Sequence, residues 1–396
     1  MDDIITNTAQ SNQSPDKKPV LLQVLPALIS GGVERGTVEI ARAAAQAGFE
    51  SLVASAGGPM VRQIEQAGAK HFELPLDSKN PLTIYGNISL LRDIIYRNKV
   101  DIVHARSRAP AWSAYYAAKS MNCHFVTTFH GFYSNGFPFK KSYNSIMTKG
   151  ERVIAISNFI AEHIKSQYKI PDDKIRVVHR GVDMDYFDPE KVDEERVKKL
   201  REKWRLTEDW PVIFLPGRIT RWKGQEFFIR ALSRVDNMSF YCVMAGDSSG
   251  HRKYFQELMK SISLYRMEKN IRLVPAEDDM PAAYKLAHVV VSASQRPEAF
   301  GRVVVEAQAM GRPVVATAIG GSKETIIHGD TGRLVDMITT EEMAQGVKKG
   351  ISISNEQRER IAVKNRQHIA ENFSLDVMCR KTIEVYHELL GKTPDA

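Results

Sequence analysis

Two glutamates eight residues apart are the clearest candidates for chemistry in this sequence. Glu298 stands in the segment PEAFG (297–301), just before a predicted helix, and Glu306 is expected two turns inside that helix. Helix geometry puts residues at this offset on roughly the same side, ~11–12 Å apart along the axis. One carboxylate could therefore bind sugar hydroxyls while the other binds a ribose. Two unrelated surface glutamates are the alternative.

A second candidate is a loop with three cations and glycines near both ends, PGRITRWKG (216–224). The guanidinium of Arg218 can form two parallel hydrogen bonds to a phosphate, and the ammonium of Lys223 supplies a point charge. The glycines and the predicted helix that follows favour a clamp for a diphosphate. The loop is not a Walker A motif, because GxxxxGK[ST] is absent. A solvated basic turn is the alternative.

Two weaker candidates lie nearer the amino terminus. Gly31 and Gly32 precede a predicted helix, where small residues let backbone N–H groups approach a phosphate, although the pattern is not GxGxxG and a plain turn explains it equally well. His130 ends a predicted strand and is followed by a glycine. It could donate to a sugar hydroxyl or to a developing charge, or it could be an ordinary loop histidine.

The elements that must position these residues alternate between strand and helix patterns. Alternation of this kind predicts an α/β protein with parallel sheets, whose ligands bind beyond the carboxyl ends of the strands. The predicted strands of the first series are Val20–Leu25, Leu52–Ala54, Ile102–His104, Phe125–Thr128, Val153–Ile156 and Val177–Val178. Those of the second series are Val212–Leu215, Phe240–Ala245, Ile271–Val274, Val289–Ser292 and Val314–Thr317. Beyond Val335 the strands are expected to stop, and three helical stretches follow.

The length of 396 residues predicts two domains, since single cores stop growing near ~250–300 residues. We place a disordered tail at 1–17, a first Rossmann-like domain at 18–182, a charged linker at 183–205 with a solvated helix at Glu194–Lys203, a second Rossmann-like domain at 206–373 and a terminal helix at 374–396.

Composition and charge indicate the cellular compartment and the possible partners of the protein. The three cysteines are far apart in the sequence and show no disulfide or zinc spacing, and no signal peptide or spanning segment is present, which together indicate the cytoplasm. Residues 18–180 carry 21 Lys and Arg against 12 Asp and Glu. This basic half could face anionic lipid, a phosphorylated acceptor or nucleic acid, or it could be a solvated surface. Nucleic acid is not expected as a partner, because the cations are scattered and no recognition motif occurs.

Taken together and in order, these segments resemble the retaining GT-B glycosyltransferases of family four (glycosyl transferases group 1). The resemblance runs from Leu21 to Leu390. The motifs that carry it are Gly31-Gly32-x-Glu34, Phe129-His130-Gly131, Gly217-Arg218 with Lys223-Gly224, Glu298 with Glu306, Gly320-Gly321 and Gly329-Asp330-x-Gly332.

The resemblance implies two Rossmann-like, doubly wound domains facing each other across a cleft, with the acceptor at 18–182, the nucleotide sugar at 206–373, and the last helix returning to the first domain. It implies transfer of a sugar from a nucleotide-diphosphate sugar to a hydroxyl of a glycan or lipid-linked acceptor, with retention, in cell-surface polysaccharide or lipopolysaccharide assembly. A sugar-nucleotide epimerase or a glycoside phosphorylase of the same fold is the alternative.

The resemblance also assigns residues. It implies that Arg218 and Lys223 neutralise the donor diphosphate, that Glu306 holds the ribose, and that Glu298 and the backbone at Phe300 and Gly301 meet the donor sugar or phosphate. The Gly31-Gly32 turn would close on the diphosphate, and His130 would lie near the sugar. The catalytic set is then His130, Arg218, Lys223 and Glu298.

Neither a cofactor nor a metal is expected, because the two cations can stabilise the leaving phosphate. The Asp183-Met184-Asp185 motif lies in a segment that resembles the turn connecting the domains of this family. The family favours front-face attack over a covalent intermediate on Glu298.

The segment FYSNGFPFKK (132–141) holds four aromatics and two lysines without an acid. We hypothesise that it binds the acceptor or inserts shallowly into the inner face of the plasma membrane, which would make the protein peripheral on an anionic surface. Aromatics that fill the local core are the alternative.

Overall fold

The short apolar runs of the sequence form buried strands. The structure, a computed structural model, describes residues 18–133, 138–336 and 339–391. Strands β1 (Val20–Val24), β8 (Val212–Pro216) and β11 (Val289–Ser292) are buried at every position. Burial on both faces is typical of parallel sheets covered by helices. The tail predicted at 1–17, Phe137 of the aromatic segment and the last residues, 392–396, lie outside the described residues.

Thirteen strands within the described ranges form two sheets. The first sheet has the order β3-β2-β1-β4-β5-β6-β7 and the second the order β10-β9-β8-β11-β12-β13. The remaining strands are β2 (Glu50–Ser55), β3 (Lys70–Glu73), β4 (Ile102–Ala105), β5 (His124–Phe129), β6 (Arg152–Ala155), β7 (Ile175–Val177), β9 (Tyr241–Ala245), β10 (Ile271–Val274), β12 (Val314–Thr317) and β13 (Arg333–Val335). The neighbouring pairs β1–β2, β1–β4, β8–β9 and β8–β11 are parallel. The predicted α/β class with two doubly wound sheets is confirmed.

Helices connect the strands, as parallel pairing requires. In the first half they are α1 (Gly32–Gln46), α2 (Val61–Gln66), α3 (Pro81–Asn98), α4 (Arg108–Ser120), α5 (Pro138–Asn144), α6 (Asn158–Tyr168) and α7 (Glu194–Lys203). In the second half they are α8 (Gln225–Leu232), α9 (Arg252–Leu264), α10 (Met280–Leu286), α11 (Arg302–Ala309), α12 (Ser322–Thr325), α13 (Thr340–Ser352), α14 (Asn355–Asn372) and α15 (Leu375–Leu389). Within the described ranges, none of these helices is both long and apolar enough to cross a membrane.

The chain divides into two compact units. One contains the described residues up to Thr127 together with Lys149–Glu151, and the other contains the rest. A core of the first unit joins Leu25 and Val38 to Val53 and Ile64. In the second unit, α8, α9 and α13 pack on the six-stranded sheet, with Phe228, Leu258 and Val347 in the core.

Capping residues fix where helices begin. Ser354 and Gln357 form a capping box at the start of α14, in which each side chain bonds the other's backbone N–H. Asp193 caps α7, whose bounds match the predicted helix at Glu194–Lys203. This helix is not solvated on every side, because Leu200 and the following Trp204 are buried in the second unit.

The last helix is held by charge within the second unit. Glu388 of α15 accepts hydrogen bonds from Arg152 of β6 and Arg176 of β7. These bonds lower the pKa of Glu388, the bond from Arg176 most strongly. At the start of α15, Ser374 bridges to Val182. Helix α15 is therefore tied to β6 and β7, the last two strands of the seven-stranded sheet.

Candidate functional site

Two loops of the second unit meet at the carboxyl ends of neighbouring strands. In the six-stranded sheet β8 lies between β9 and β11, so the strand order reverses direction between β8 and β11. Ligands of doubly wound sheets bind at such a switch point. The loop after β8 is residues 217–224, and the loop after β11 is residues 293–301. Arg218 and Lys223 are in the first of these loops and Glu298 is in the second, whereas Glu306 is in α11.

The loop after β8 ends where only a glycine fits. Gly224 has φ +75°, and a Cβ there would lie 1.9 Å from the carbonyl oxygen of Ala293. Any side chain at this position would separate the two loops. The glycine therefore brings Lys223 next to the loop after β11.

Lys223 and Glu298 form an ion pair at the point where the loops meet. The ammonium Nζ lies 2.8 Å from Glu298 Oε1, and each side chain is only 13% exposed. Ser294 donates a second hydrogen bond to the same oxygen, at 2.5 Å. The Lys223 ammonium also lies 4.5 Å from the centre of the Trp222 ring. The structure thus brings together two residues that are 75 positions apart in the sequence.

Arg218 lies on the same loop and is exposed. Its carbonyl accepts a hydrogen bond from Gln225 Nε2 at 2.9 Å, which fixes the backbone of the loop. After the neighbouring strand β9, hydrogen bonds from Ser249 lower the pKa of Asp247, helped by the charges of His251 and Arg218. Arg218 and Lys223 thus place two cations on one loop at the switch point.

The carboxylate of Glu306 is held by two donors. Tyr284 donates to Oε2 at 2.9 Å, and Arg302 donates to Oε1 at 2.7 Å. Glu306 is 7% exposed. Burial, followed by the charge of Glu306, raises the pKa of Tyr284 well above its usual value, so this phenol stays protonated and donates. The orientation of Glu306 is thus fixed before any ligand arrives.

The placement of Glu306 two turns inside a helix is wrong. Gly301, with φ +86°, precedes α11, which begins at Arg302, so Glu306 is only one turn inside the helix. Glu298 lies in the preceding loop, before the helix as expected. Phe300, in the same loop, is buried at 3% exposure.

Replacing Tyr284 with phenylalanine is expected to lower the free energy of unfolding by about 1–3 kcal/mol, because a buried carboxylate oxygen loses its donor. Denaturant unfolding followed by circular dichroism measures this. Tyr85→Phe is the control, since Tyr85 is 76% exposed on α3. Equal stability of the two variants would contradict the assigned bond.

The other predicted residues, His130, Gly31 and Gly32, belong to neither of the two loops. His130 directly follows β5 and belongs to the second unit; its Nδ1 lies 3.4 Å from a guanidinium nitrogen of Arg180. Gly31 and Gly32 belong to the first unit, where Gly32 opens α1 and Gly31 has φ +134°. A Cβ on Gly31 would lie 2.7 Å from Oε2 of Glu34.

The Asp183-Met184-Asp185 motif is bonded to neighbouring residues of its own segment. Asp183 Oδ1 accepts the backbone N–H groups of Asp185 and Tyr186, each at 3.0 Å. Asp185 forms an ion pair with Lys191. Among the residues that the structure describes, no group of three His, Cys, Asp or Glu side chains is arranged to hold a metal ion.

Sequence reasoning missed three polar residues beside the loop after β11. Ser157 Oγ donates to the carbonyl of Ala299 at 2.6 Å. Glu324 lies three residues beyond the Gly320-Gly321 pair and is bonded to His179 Nε2 at 2.9 Å. The position of His179 after a predicted strand was a usable signal, because residues that follow strands face the ligand edge of the sheet.

Comparison with known proteins matches both halves of the chain. The family model described as Glycosyltransferase Family 4 matches residues 30–186, and the model described as Glycosyl transferases group 1 matches residues 196–368. The chain is 42% identical to a glycosyltransferase of Rickettsia africae whose crystal structure is known. That likeness has a TM-score of 0.86 and covers 94% of this chain and 99% of the other.

Two more distant proteins agree with these matches. HepE of Anabaena, solved in complex with UDP-glucose, is 21% identical with a TM-score of 0.77 over 93% of this chain and 99% of that one, and it shows the fold alone. An uncharacterized glycosyltransferase of Methanocaldococcus jannaschii is 31% identical over 61% of this chain, and the match spans 62% of that relative's length. The chain belongs to the group 1, family 4 glycosyltransferases and has the GT-B fold.

Proposed function

We propose that this chain is a retaining, metal-independent glycosyltransferase that moves a sugar from a nucleotide-diphosphate sugar to a hydroxyl of a glycan or lipid-linked acceptor. The observation that carries the proposal is the Lys223–Glu298 pair at the switch point of the second sheet, 2.8 Å apart and largely buried. Arg218 on the same loop adds a second cation. UDP-glucose is the first donor to test, because HepE was solved with it.

The proposed chemistry follows from where charge develops. As the sugar leaves the diphosphate, negative charge grows on the phosphate, and fixed cations stabilise that charge without a divalent metal. Arg218 and Lys223 take this role. The backbone at Phe300 and Gly301, just before α11, is proposed to meet the donor sugar or phosphate, because the start of a helix favours negative charge.

The other predicted residues complete the proposed donor site. Glu306, held by Tyr284 and Arg302, binds the ribose hydroxyls. Glu298 meets the donor sugar. His130 is proposed to contact the sugar, and Gly31 and Gly32 the diphosphate.

The proposed domains keep the boundaries expected from the sequence. We propose residues 18–182 as the acceptor-side domain, 183–205 as the linker and 206–373 as the donor domain.

The product is expected to keep the anomeric configuration of the donor. In front-face attack the acceptor hydroxyl approaches on the side that the leaving phosphate vacates, so an α-linked donor gives an α-linked product. Proton NMR of the purified product measures the coupling constant of the anomeric proton, and EDTA is expected to leave the rate unchanged. A β-linked product would contradict retention, and a free epimer or sugar phosphate would indicate one of the alternative reactions.

The two described ends of the aromatic segment differ: the rings at 132–133 pack against other rings, whereas residues 139–141 are exposed. The Phe132 ring lies 4.1 Å from the ring of His163, and Tyr133 packs on Phe129. Phe139 is 86% exposed, and both Lys140 and Lys141 are exposed beside it. We propose that this end of the segment contacts an anionic membrane, as suits a cytoplasmic enzyme of cell-surface polysaccharide or lipopolysaccharide assembly that acts at the inner face of the plasma membrane.

Replacing Phe139 with serine is expected to lower vesicle binding about tenfold, because burying a phenylalanine contributes about 1.5–3 kcal/mol. Flotation with phosphatidylglycerol vesicles measures the bound fraction. Tyr85→Ser, a similarly exposed aromatic on α3, is the control. Equal flotation of wild type and Phe139→Ser would remove this hypothesis and leave the donor site unaffected.

A further inference from the structure

Glu324 is a largely buried carboxylate that the proposed chemistry does not use. Its side chain is 14% exposed and lies at the amino-terminal end of α6, within the same compact unit. It accepts the backbone N–H groups of Asn158 at 2.7 Å and Phe159 at 2.6 Å. The Asn158 amide and His179 Nε2 donate to it as well, at 3.1 Å and 2.9 Å. A carboxylate with four donors has a fixed position.

The charge of Glu324 is favourable in this place. Burial alone would raise the pKa of Glu324, but the hydrogen bonds from His179, Phe159 and Asn158 outweigh burial, so its pKa is lowered. The amino-terminal end of a helix also favours a negative charge. Glu324 therefore joins α12 to α6 as an ionised group.

The turn before Glu324 packs against the loop that carries Glu298. Gly321 N–H donates to the carbonyl of Glu298 at 2.9 Å. A Cβ on Gly320 would lie 2.4 Å from that same carbonyl oxygen, so no side chain fits between the two segments. The turn before Glu324 is therefore in direct contact with the backbone of Glu298.

A second bond from α6 reaches the same loop. Ser157 caps α6 by accepting from the backbone of Ile160 at 3.1 Å, and its hydroxyl donates to the carbonyl of Ala299 at 2.6 Å. Ser157 is fully buried. The first turn of α6 thus holds residues 298 and 299 at two points, directly through Ser157 and indirectly through Glu324.

We propose that Glu324 and Ser157 are positioning residues of the donor site, which use the first turn of α6 to hold the loop at 297–301 so that Glu298 stays against Lys223. The proposal rests on the proposed function. Neither residue is assigned a contact with the donor. Their loss should therefore lower kcat more than it weakens binding of the nucleotide.

The first test is Glu324→Gln, which keeps the size of the side chain but replaces one acceptor with an NH2 donor that faces other donors. We expect kcat, measured as nucleoside diphosphate release, to fall about 10- to 100-fold, since misplacement by about 1 Å can cost this much. The Kd of the nucleoside diphosphate, measured by calorimetry, should change less than about threefold. Lys323→Gln removes the neighbouring exposed charge and should match wild type.

The second test separates the two bonds of Ser157. Ser157→Thr keeps a hydroxyl that can accept and donate, whereas Ser157→Asp keeps the capping acceptor but has no proton for Ala299. We expect the threonine variant to keep kcat within about threefold and the aspartate variant to lose at least about tenfold. If Glu324→Gln fails to fold, the comparison of Ser157→Thr with Ser157→Asp still tests the positioning role.

Failure of the proposed function can be distinguished from failure of the positioning role. If the wild-type protein binds no nucleoside diphosphate, the proposed function fails and this inference fails with it. If the wild type binds and turns over, but Glu324→Gln retains kcat or loses binding and kcat equally, the positioning role alone is overturned. Equal kcat for the threonine and aspartate variants would also overturn it.

Discussion

Replacing Lys223 with methionine is expected to lower kcat/KM for the nucleotide sugar about 1,000-fold. Methionine keeps the length of the side chain but removes the charge that the account assigns to the leaving phosphate. Removing one fixed donor from a transition-state charge costs about 100- to 1,000-fold, and a full charge in a largely buried site lies at the upper end of that range. The methionine also leaves the Glu298 carboxylate with Ser294 as its remaining donor among those described.

Nucleoside diphosphate release at several donor concentrations measures the effect of Lys223→Met. Lys260→Met, at an exposed position of α9, is the matched control and should behave as wild type. A loss of less than about tenfold in a folded Lys223→Met protein would remove Lys223 from the assigned role. Circular dichroism and the melting temperature establish that the variant is folded.

Replacing Glu298 with glutamine is expected to lower kcat about 100-fold or more, while the Kd of the nucleoside diphosphate changes only a few-fold. Glutamine has the same shape but no charge, so it holds the Lys223 ammonium less firmly and meets the donor sugar as a weaker acceptor. The nucleotide itself is bound by Arg218, Lys223 and Glu306 in this account. The effect should therefore appear in turnover.

The losses of activity caused by Lys223→Met and by Glu298→Gln should not be independent of each other. Groups that act as a unit lose less together than the product of their separate losses. The double variant Lys223→Met/Glu298→Gln should therefore be close to the worse single variant. Glu341→Gln breaks an exposed ion pair with Arg234 and is the control, expected to be neutral. Losses that simply multiply would contradict a shared role.

The sequence predicted most of the fold because its buried strands are short apolar runs. Predicted and observed bounds agree closely for β8, β10, β11 and β12. The predicted strands omitted β3, Lys70–Glu73, which is an edge strand with a mixed KHFE sequence and no fully buried position. They also gave no bounds for β13, an edge strand of three residues, although the strands were expected to stop after Val335, where β13 ends. Edge strands have one neighbour and need less apolar character, so the pattern is weakest there.

The candidate site was predictable in its parts but not in its contacts. The rule that ligands bind after parallel strands pointed to the segments that contain Arg218, Lys223 and Glu298. Spacing could not show that Lys223 and Glu298 touch, because that contact depends on the neighbouring places of β8 and β11 in the sheet. Glu324 was missed for another reason. Two of its donors are backbone N–H groups of α6, which no side-chain motif records.

The helix that contains Glu306 was predicted to begin too early in the sequence, because helical periodicity alone does not locate its first residue. Apolar residues after Glu298 fit a helical pattern, but the left-handed backbone at Gly301 delays the start of α11 until Arg302. Glu298 therefore remains in the loop, where it reaches Lys223. A glycine inside a helical pattern was the available warning.

Binding of nucleoside diphosphates in the presence of EDTA tests the proposed metal-independent donor site. A thermal-shift panel would compare UDP, GDP, ADP and their common sugar conjugates on the wild type and on Arg218→Ala/Lys223→Ala, because a ligand that binds only the folded state raises the melting temperature. We expect the melting temperature to rise with one nucleotide, in the presence of EDTA as well, and not to rise in the double variant. No shift with any nucleotide at millimolar concentration, or an undiminished shift in the double variant, would contradict it.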